Sequence, residues 1–153
     1  MSGLISQQFQ YTGEGLSGFV IEQTAKRLKK SFQKALTQME AGITADQWVV
    51  LDLLMNKGPL NQLEICQYLA KDAPTVTRII DLLAKKEFLQ RTTDPADRRR
   101  FSITLTQKGD HRHQELISNV KIFRQKHFQS LSSDDIGHLL RILEKINIHI
   151  QDS

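Results

Sequence analysis

Apolar residues near the start of the chain recur mostly three and four apart: Leu16, Phe19, Val20, Leu28, Phe32, Ala35 and Leu36, with polar Gln23 interrupting the series. That spacing keeps side chains on one face of a helix, so it predicts an amphipathic helix from Leu16 to about Gln38. The preceding segment Met1 to Gly15, with Gly13 and Gly15 near its end, reads as a loose arm. Gly42 then supplies a stop and Thr44 a cap, with Gln47 three residues on as the partner of a capping box. The helix they open carries Trp48, Val49, Leu51, Leu53 and Leu54, all expected to be buried. It ends near Asn56-Lys57-Gly58-Pro59, because glycine tolerates a left-handed exit and proline cannot continue the hydrogen-bond ladder.

Two short helices follow. Asn61 can cap the first, from Gln62 to about Ala70, with Leu63, Ile65, Cys66 and Leu69 as its apolar positions. Lys71-Asp72-Ala73-Pro74 is a turn in which Asp72 can cap the next helix and Pro74 falls in its first turn, where a missing N–H costs little. That helix, from about Ala73 to Lys86, buries Val76, Ile79 or Ile80, and Leu83, and exposes Thr75, Thr77, Arg78, Asp81 and Lys85. The period then changes from helical to two. Phe88 to Arg91 and Phe101 to Leu105 read as the strands of a hairpin, joined by a polar loop from Thr92 to Arg100 in which Asp94-Pro95 starts a turn. A long helix opens at Thr106-Gln107-Lys108-Gly109 and runs to about Phe128, with Leu116, Val120, Phe123 and Phe128 among its apolar residues. Ser132 with Asp135 caps a last helix carrying Ile136, Leu139, Leu140, Leu143, Ile146, Ile148 and Ile150.

A helix pair with a tight turn, the second helix offering small polar and basic residues near its start, is the arrangement that places a helix in a major groove. The hairpin beside it completes a wing. The expected architecture is therefore mainly α (α+β): a winged helix-turn-helix domain over 39–105, flanked by an arm and first dimerisation helix over 1–38 and by C-terminal helices over 106–153. The long terminal helices are expected to form an intertwined dimerisation region, since so apolar a last helix needs a cover. A two-fold dimer sets its recognition helices about 34 Å apart on one face of a duplex.

Charge sharpens this picture. The chain of 153 residues has a formal charge of +4. Between Lys71 and Arg112 there are 10 Lys and Arg against 6 Asp and Glu, a balance of +4, and the remainder, with 11 of each, cancels. A concentrated basic stretch attracts a polyanion, although a solvated charged surface is its bland counterpart. Arg98, Arg99 and Arg100 fall at the far end of the hairpin, where an arginine can enter a minor groove or pin a phosphate; a hairpin tip is also where a purely solvated charge run would sit. Asp97 beside them can orient a guanidinium through a bidentate pair.

Other chemistry is sparse. No stretch is apolar enough to cross a bilayer and no secretory signal is visible, so a soluble cytoplasmic protein is expected. Cys66, the one cysteine, excludes an internal disulfide and reads as buried packing. His111 and His113, two apart on a helix, point about 200° from each other and make poor co-ligands. They read as surface histidines; His127, His138 and His149 add no metal spacing, and no metal site is expected. Ser17 and Ser31 lie in no catalytic motif and no glycine-rich phosphate loop occurs, so the chain is read as a non-enzyme without a cofactor.

The run Pro74-Thr75-Val76-Thr77-Arg78-Ile79-Ile80-Asp81-Leu82-Leu83-Ala84-Lys85-Lys86, then Leu89, Arg91, Asp94-Pro95-Ala96-Asp97-Arg98-Arg99 and Leu105-Thr106-Gln107-Lys108-Gly109, resembles the MarR family of bacterial and archaeal regulators. The likeness covers roughly Leu16 to Ile150. It implies a triangular homodimer binding double-stranded DNA, usually a repressor that leaves a pseudo-palindromic operator when a small ligand or oxidant is sensed. Carried onto this chain, Thr75, Thr77 and Arg78 match positions facing the major groove or its rim. Asp97 and Arg99 match the wing Asp and Arg, the first orienting the second for minor-groove contact. The effector the resemblance implies is a small aromatic or amphipathic molecule. Cysteine-sensing relatives carry their thiol near the start of the first helix, where this chain has none. A second departure is Glu87, where the family often has glycine, so the turn there must accept a side chain. The competing reading is a constitutive DNA binder or a protein-interaction module without ligand sensing.

Overall fold

The computed structural model describes residues 14–151. The order is α1 (Glu14–Gln38), α2 (Ala45–Lys57), β1 (Leu60–Asn61), α3 (Gln62–Leu69), α4 (Ala73–Lys85), β2 (Leu89–Thr93), β3 (Phe101–Leu105), α5 (Gln107–Phe128) and α6 (Ser133–Gln151). Of the expected loose arm, Glu14 and Gly15 belong to α1 and the rest lies outside the described residues. The chain divides into two compact units, Met1–Leu116 and Ile117–Ser153, with α5 running from one into the other. This division differs from the sequence boundaries at 38/39 and 105/106. The end of α1 supplies Phe32, Ala35 and Leu36 to the buried core of the first unit, beside Trp48, Leu51, Ile65, Ile80, Leu83 and Ile103.

Local chemistry sets the helix starts. The Thr44 hydroxyl accepts the Gln47 amide at 3.2 Å, and the Gln47 carboxamide accepts the Thr44 amide at 3.1 Å. Asn61 and Glu64 form the same reciprocal box ahead of α3, at 2.9 and 2.8 Å. Each cap is worth about 1 kcal/mol. Gly58, at φ 81°, ends α2 in a conformation that a side chain would strain.

The sheet has three strands where the sequence shows two. Its order is β1-β3-β2, with Leu60 opposite Ile103 and Asn61 opposite Ser102. A two-residue strand is too short to show alternation, which is why the sequence conceals it. β2 begins at Leu89 and extends to Thr93, so that Leu89 faces Leu105 and Thr93 faces Phe101. Burial also departs from expectation: α3 has eight residues and buries only Ile65, leaving Leu63 67% exposed and Cys66 half-exposed. Val49 is likewise exposed and Leu53 half-buried.

His113 is a correction. It is buried, its ring stacks on Trp48 with centroids 4.8 Å apart, and its Nε2 lies 2.8 Å from Asp52 Oδ1. The series Gly109, His113, Leu116, Val120 places it on the buried stripe of α5, a position the sequence shows once the stripe is drawn through it. His111 is exposed and pairs with Glu115 at 3.2 Å.

In the second unit the Ser132–Asp135 pair caps α6 reciprocally, at 2.9 and 3.1 Å. Beyond that cap α6 leaves Leu139, Leu140, Ile142, Ile146, Ile148 and Ile150 exposed. They form two stripes, one through Leu140 and Ile148 and the other through Leu139, Ile142, Ile146 and Ile150. Among the described residues no helix is long and apolar enough to cross a membrane.

Candidate nucleic-acid interface

Helix α4 is fixed along its length by its neighbours. At its start Asp72 accepts the Thr75 amide at 2.8 Å. One turn on, the Thr77 hydroxyl donates to Ala73 O at 2.8 Å and accepts Gln62 Nε2 of α3 at 2.5 Å. Near the middle, Asp81 pairs with Arg91 of β2 at 2.6 Å, tying the helix to the sheet. At its end Lys86 donates to Gly42 O at 2.5 Å and to Gln47 Oε1 at 3.1 Å. The turn between α3 and α4 is held as well, because Asp46 lies between Lys29 of α1 at 2.9 Å and Lys71 at 3.4 Å. Partial burial alone would raise the Asp46 pKa, but the hydrogen bonds and charges of Lys29 and Lys71 together hold it below the usual carboxylate range.

These restraints present one face of α4. Arg78 is exposed, whereas Thr75 and Thr77, expected on the same exposed face, are half-buried. Their burial follows from the hydrogen bonds that hold them. Gln62 and the Asp81–Arg91 pair have no local signal in the sequence, because each partner lies on a different element.

The wing loop is built by two aspartates. Asp94 Oδ1 accepts the Ala96 amide at 2.8 Å and Asp97 Oδ1 accepts the Arg99 amide at 3.0 Å, both two residues on. The Asp94 amide closes the loop on Arg100 O at 2.9 Å. Such turns let a short carboxylate replace a backbone acceptor and fix the loop without a core. The Asp97 carboxylate takes the Arg99 backbone, and its ion-pair partner among the described residues is Arg100, at 3.6 Å. Arg98, Arg99 and Arg100 all remain exposed.

Glu87 occupies the left-handed region at φ 61° immediately before the wing. The departure from glycine noted in the sequence is therefore absorbed by strain, about 1 kcal/mol for a residue with a Cβ. Lys108 pairs with its carboxylate at 2.8 Å. A cleft of about 390 Å³ lies between the start of α3 and the sheet, lined by Gln62, Leu63, Arg91, Arg100 and Phe101 among others. Among the described residues no three His, Cys, Asp or Glu come together in a way that could hold a metal.

Comparison with known proteins agrees with this geometry. The model of the MarR family matches residues 43–101, the span from the residue before the α2 cap to the first residue of β3. The uncharacterized HTH-type transcriptional regulator YwoH of Bacillus subtilis is 34% identical over 128 residues, 80% of this chain and 89% of that protein. The HTH-type transcriptional repressor NicR of Pseudomonas putida is 30% identical over 132 residues, 83% of this chain and 84% of that protein. Among solved structures, Bordetella bronchiseptica BpsR, whose DNA binding is regulated by 6-hydroxynicotinic acid, superposes with a TM-score of 0.78 at 26% identity, covering 91% of this chain and 98% of that one.

Proposed function

Since this chain belongs to the MarR family of winged helix-turn-helix transcriptional regulators, which bind DNA and are not enzymes, we propose that it is a homodimeric repressor of a pseudo-palindromic operator, released by a small molecule. The observation that carries the reading is a rigidly held α4, bearing Thr75, Thr77 and Arg78, in the same unit as a preformed loop bearing Arg98, Arg99 and Arg100. In this reading α4 enters the major groove and the loop arginines reach the minor groove and the adjacent phosphates. Asp97 acts by shaping the loop backbone. The exposed stripes of α6 support a second copy as the partner. The cleft lined by Leu63 and Phe101 supports a small aromatic effector, its apolar walls taking a ring. The likeness to BpsR supports the same chemistry.

The test compares affinity for a duplex selected from a random pool with affinity for random DNA, over a range of salt. The native protein should prefer the selected duplex by at least about 1000-fold. Replacing Arg98, Arg99 and Arg100 by alanine should weaken binding to both duplexes. It should also flatten the slope of log K against log salt by roughly 0.9 for each phosphate that is no longer neutralised. Equal affinity for selected and random DNA would leave a nonspecific binder, and no affinity for either would leave an interaction module.

A further inference from the structure

A hydroxyl carries one proton and two lone pairs, so what it can offer a base depends on where its proton already lies. On α4 both threonine protons are committed within the protein. Thr75 Oγ1 lies 3.0 Å from Asp72 Oδ2, while Asp72 Oδ1 takes the Thr75 amide. The Asp72 carboxyl is held below the usual carboxylate range, first by that backbone amide and then by the hydroxyl. At neutral pH it is ionised and has no proton to give, so the proton between the two oxygens belongs to Thr75. Thr77 gives its proton to Ala73 O, a carbonyl that can only accept. It spends a lone pair on Gln62, whose amide orientation is fixed because the same nitrogen also approaches Ala73 O at 3.4 Å.

The consequence lies in the major groove. Where adenine shows its N6 amino group guanine shows the O6 carbonyl, and where cytosine shows its N4 amino group thymine shows the O4 carbonyl. An oxygen that can only accept favours adenine over guanine, or cytosine over thymine, on the strand it faces. Thr75 keeps both lone pairs for this purpose, whereas Thr77 keeps one. Arg78, a donor only, reads the opposite class of base or a phosphate.

We propose that Thr75 selects an amino-bearing base over a keto-bearing one at one base pair of each half-site, and that Asp72 is the positioning residue that sets this polarity. The inference rests on the DNA-reading role of α4 argued above and adds the chemical class of base it reads.

The probe is a pool of random duplexes selected with the full chain, its Thr75→Val and Thr75→Ser variants, and Asp72→Asn. For the native protein one base pair should show A over G, or C over T, by roughly fivefold, the ratio one neutral hydrogen bond of about 1 kcal/mol supports. Exchanging that base for an analogue lacking the amino group should remove the preference. Thr75→Val should abolish it and Thr75→Ser should keep it. Asp72→Asn supplies the discriminating result. The asparagine oxygen keeps the Thr75 amide and so the helix cap, which leaves its NH2 facing Thr75 Oγ1 and frees the Thr75 proton. The hydroxyl can then donate that proton to a keto oxygen or accept on its remaining lone pair, so the preference at that base pair should disappear, while circular dichroism and the melting temperature report an intact fold. The lost negative charge raises affinity for all sequences alike and leaves the preference itself as the readout. A keto preference in the native protein, an unchanged profile with Thr75→Val, or an amino preference that survives Asp72→Asn overturns the inference while leaving the operator reading intact. Failure of the native chain to select any sequence overturns both.

Discussion

Charging the exposed face of α6, with glutamate at Leu140, Ile142, Ile146 and Ile148 together, is expected to convert a dimer into a monomer that no longer holds an operator. In a single chain these side chains are 62%, 51%, 37% and 53% exposed, so replacing them there costs the protomer little. Across a two-fold interface each substitution counts twice. Burying the exposed half of one leucine or isoleucine contributes about 0.75–1.5 kcal/mol, so losing even one such residue from each chain raises the dissociation constant by roughly 10-fold or more. The carboxylates add desolvation and mutual repulsion to that loss. Sedimentation equilibrium at micromolar concentration should show the native chain as a dimer and the variant as a monomer. A native monomer, or a variant that stays dimeric, would remove α6 from the interface.

Gly109→Ala is expected to destabilise the fold by about 3 kcal/mol, against the gain of up to 1 kcal/mol that alanine ordinarily brings to a helix. A Cβ on Gly109 would lie 2.1 Å from Phe88 O and 2.9 Å from Phe88 C, both backbone atoms. They cannot turn aside, because the Thr106 amide donates to Phe88 O at 3.1 Å and the Thr106 hydroxyl donates to Glu87 O. The first turn of α5 is thereby pressed against the bend between α4 and the wing, and any relief must move one of them. Gly137→Ala in α6 is the control: no atom lies within 4 Å of its Cβ, and it should stabilise the chain by about 0.5–1 kcal/mol. Urea unfolding of both variants checks the pair of signs, and a Gly109→Ala protein as stable as the native one would contradict the packing described here.

What the sequence made legible was whatever is encoded within a few residues. The Thr44–Gln47 box, the Asp72 cap and the Ser132–Asp135 cap are written at fixed offsets, and all three are present. The alternation of Phe101 to Leu105 identified β3 to the residue. What it concealed depends on partners far along the chain. Leu60 and Asn61 become a strand only because β3 lies alongside, and the partners of His113, Trp48 and Asp52, meet it from α2. The functional face follows the same division. Arg78 and the three wing arginines stood out by charge, but the polarity of Thr75 and Thr77 depends on Asp72, Ala73 and Gln62, which charge and periodicity do not connect to them. The contacts of Asp97 with the Arg99 amide and with Arg100 depend on the fold of the loop, which the sequence alone does not show.

The central claim is that two copies of α4 read DNA together with their wings, and dimethyl sulfate footprinting on the selected duplex, which reports guanine N7 in the major groove and adenine N3 in the minor groove, tests it most directly. Two protected major-groove segments are predicted, centred about 10–10.5 base pairs apart on one face of the helix, or a whole multiple of that, each flanked by a minor-groove contact. Those flanking contacts should vanish when Arg98, Arg99 and Arg100 are replaced by alanine. A single protected segment, or protection without helical phase, would contradict the account.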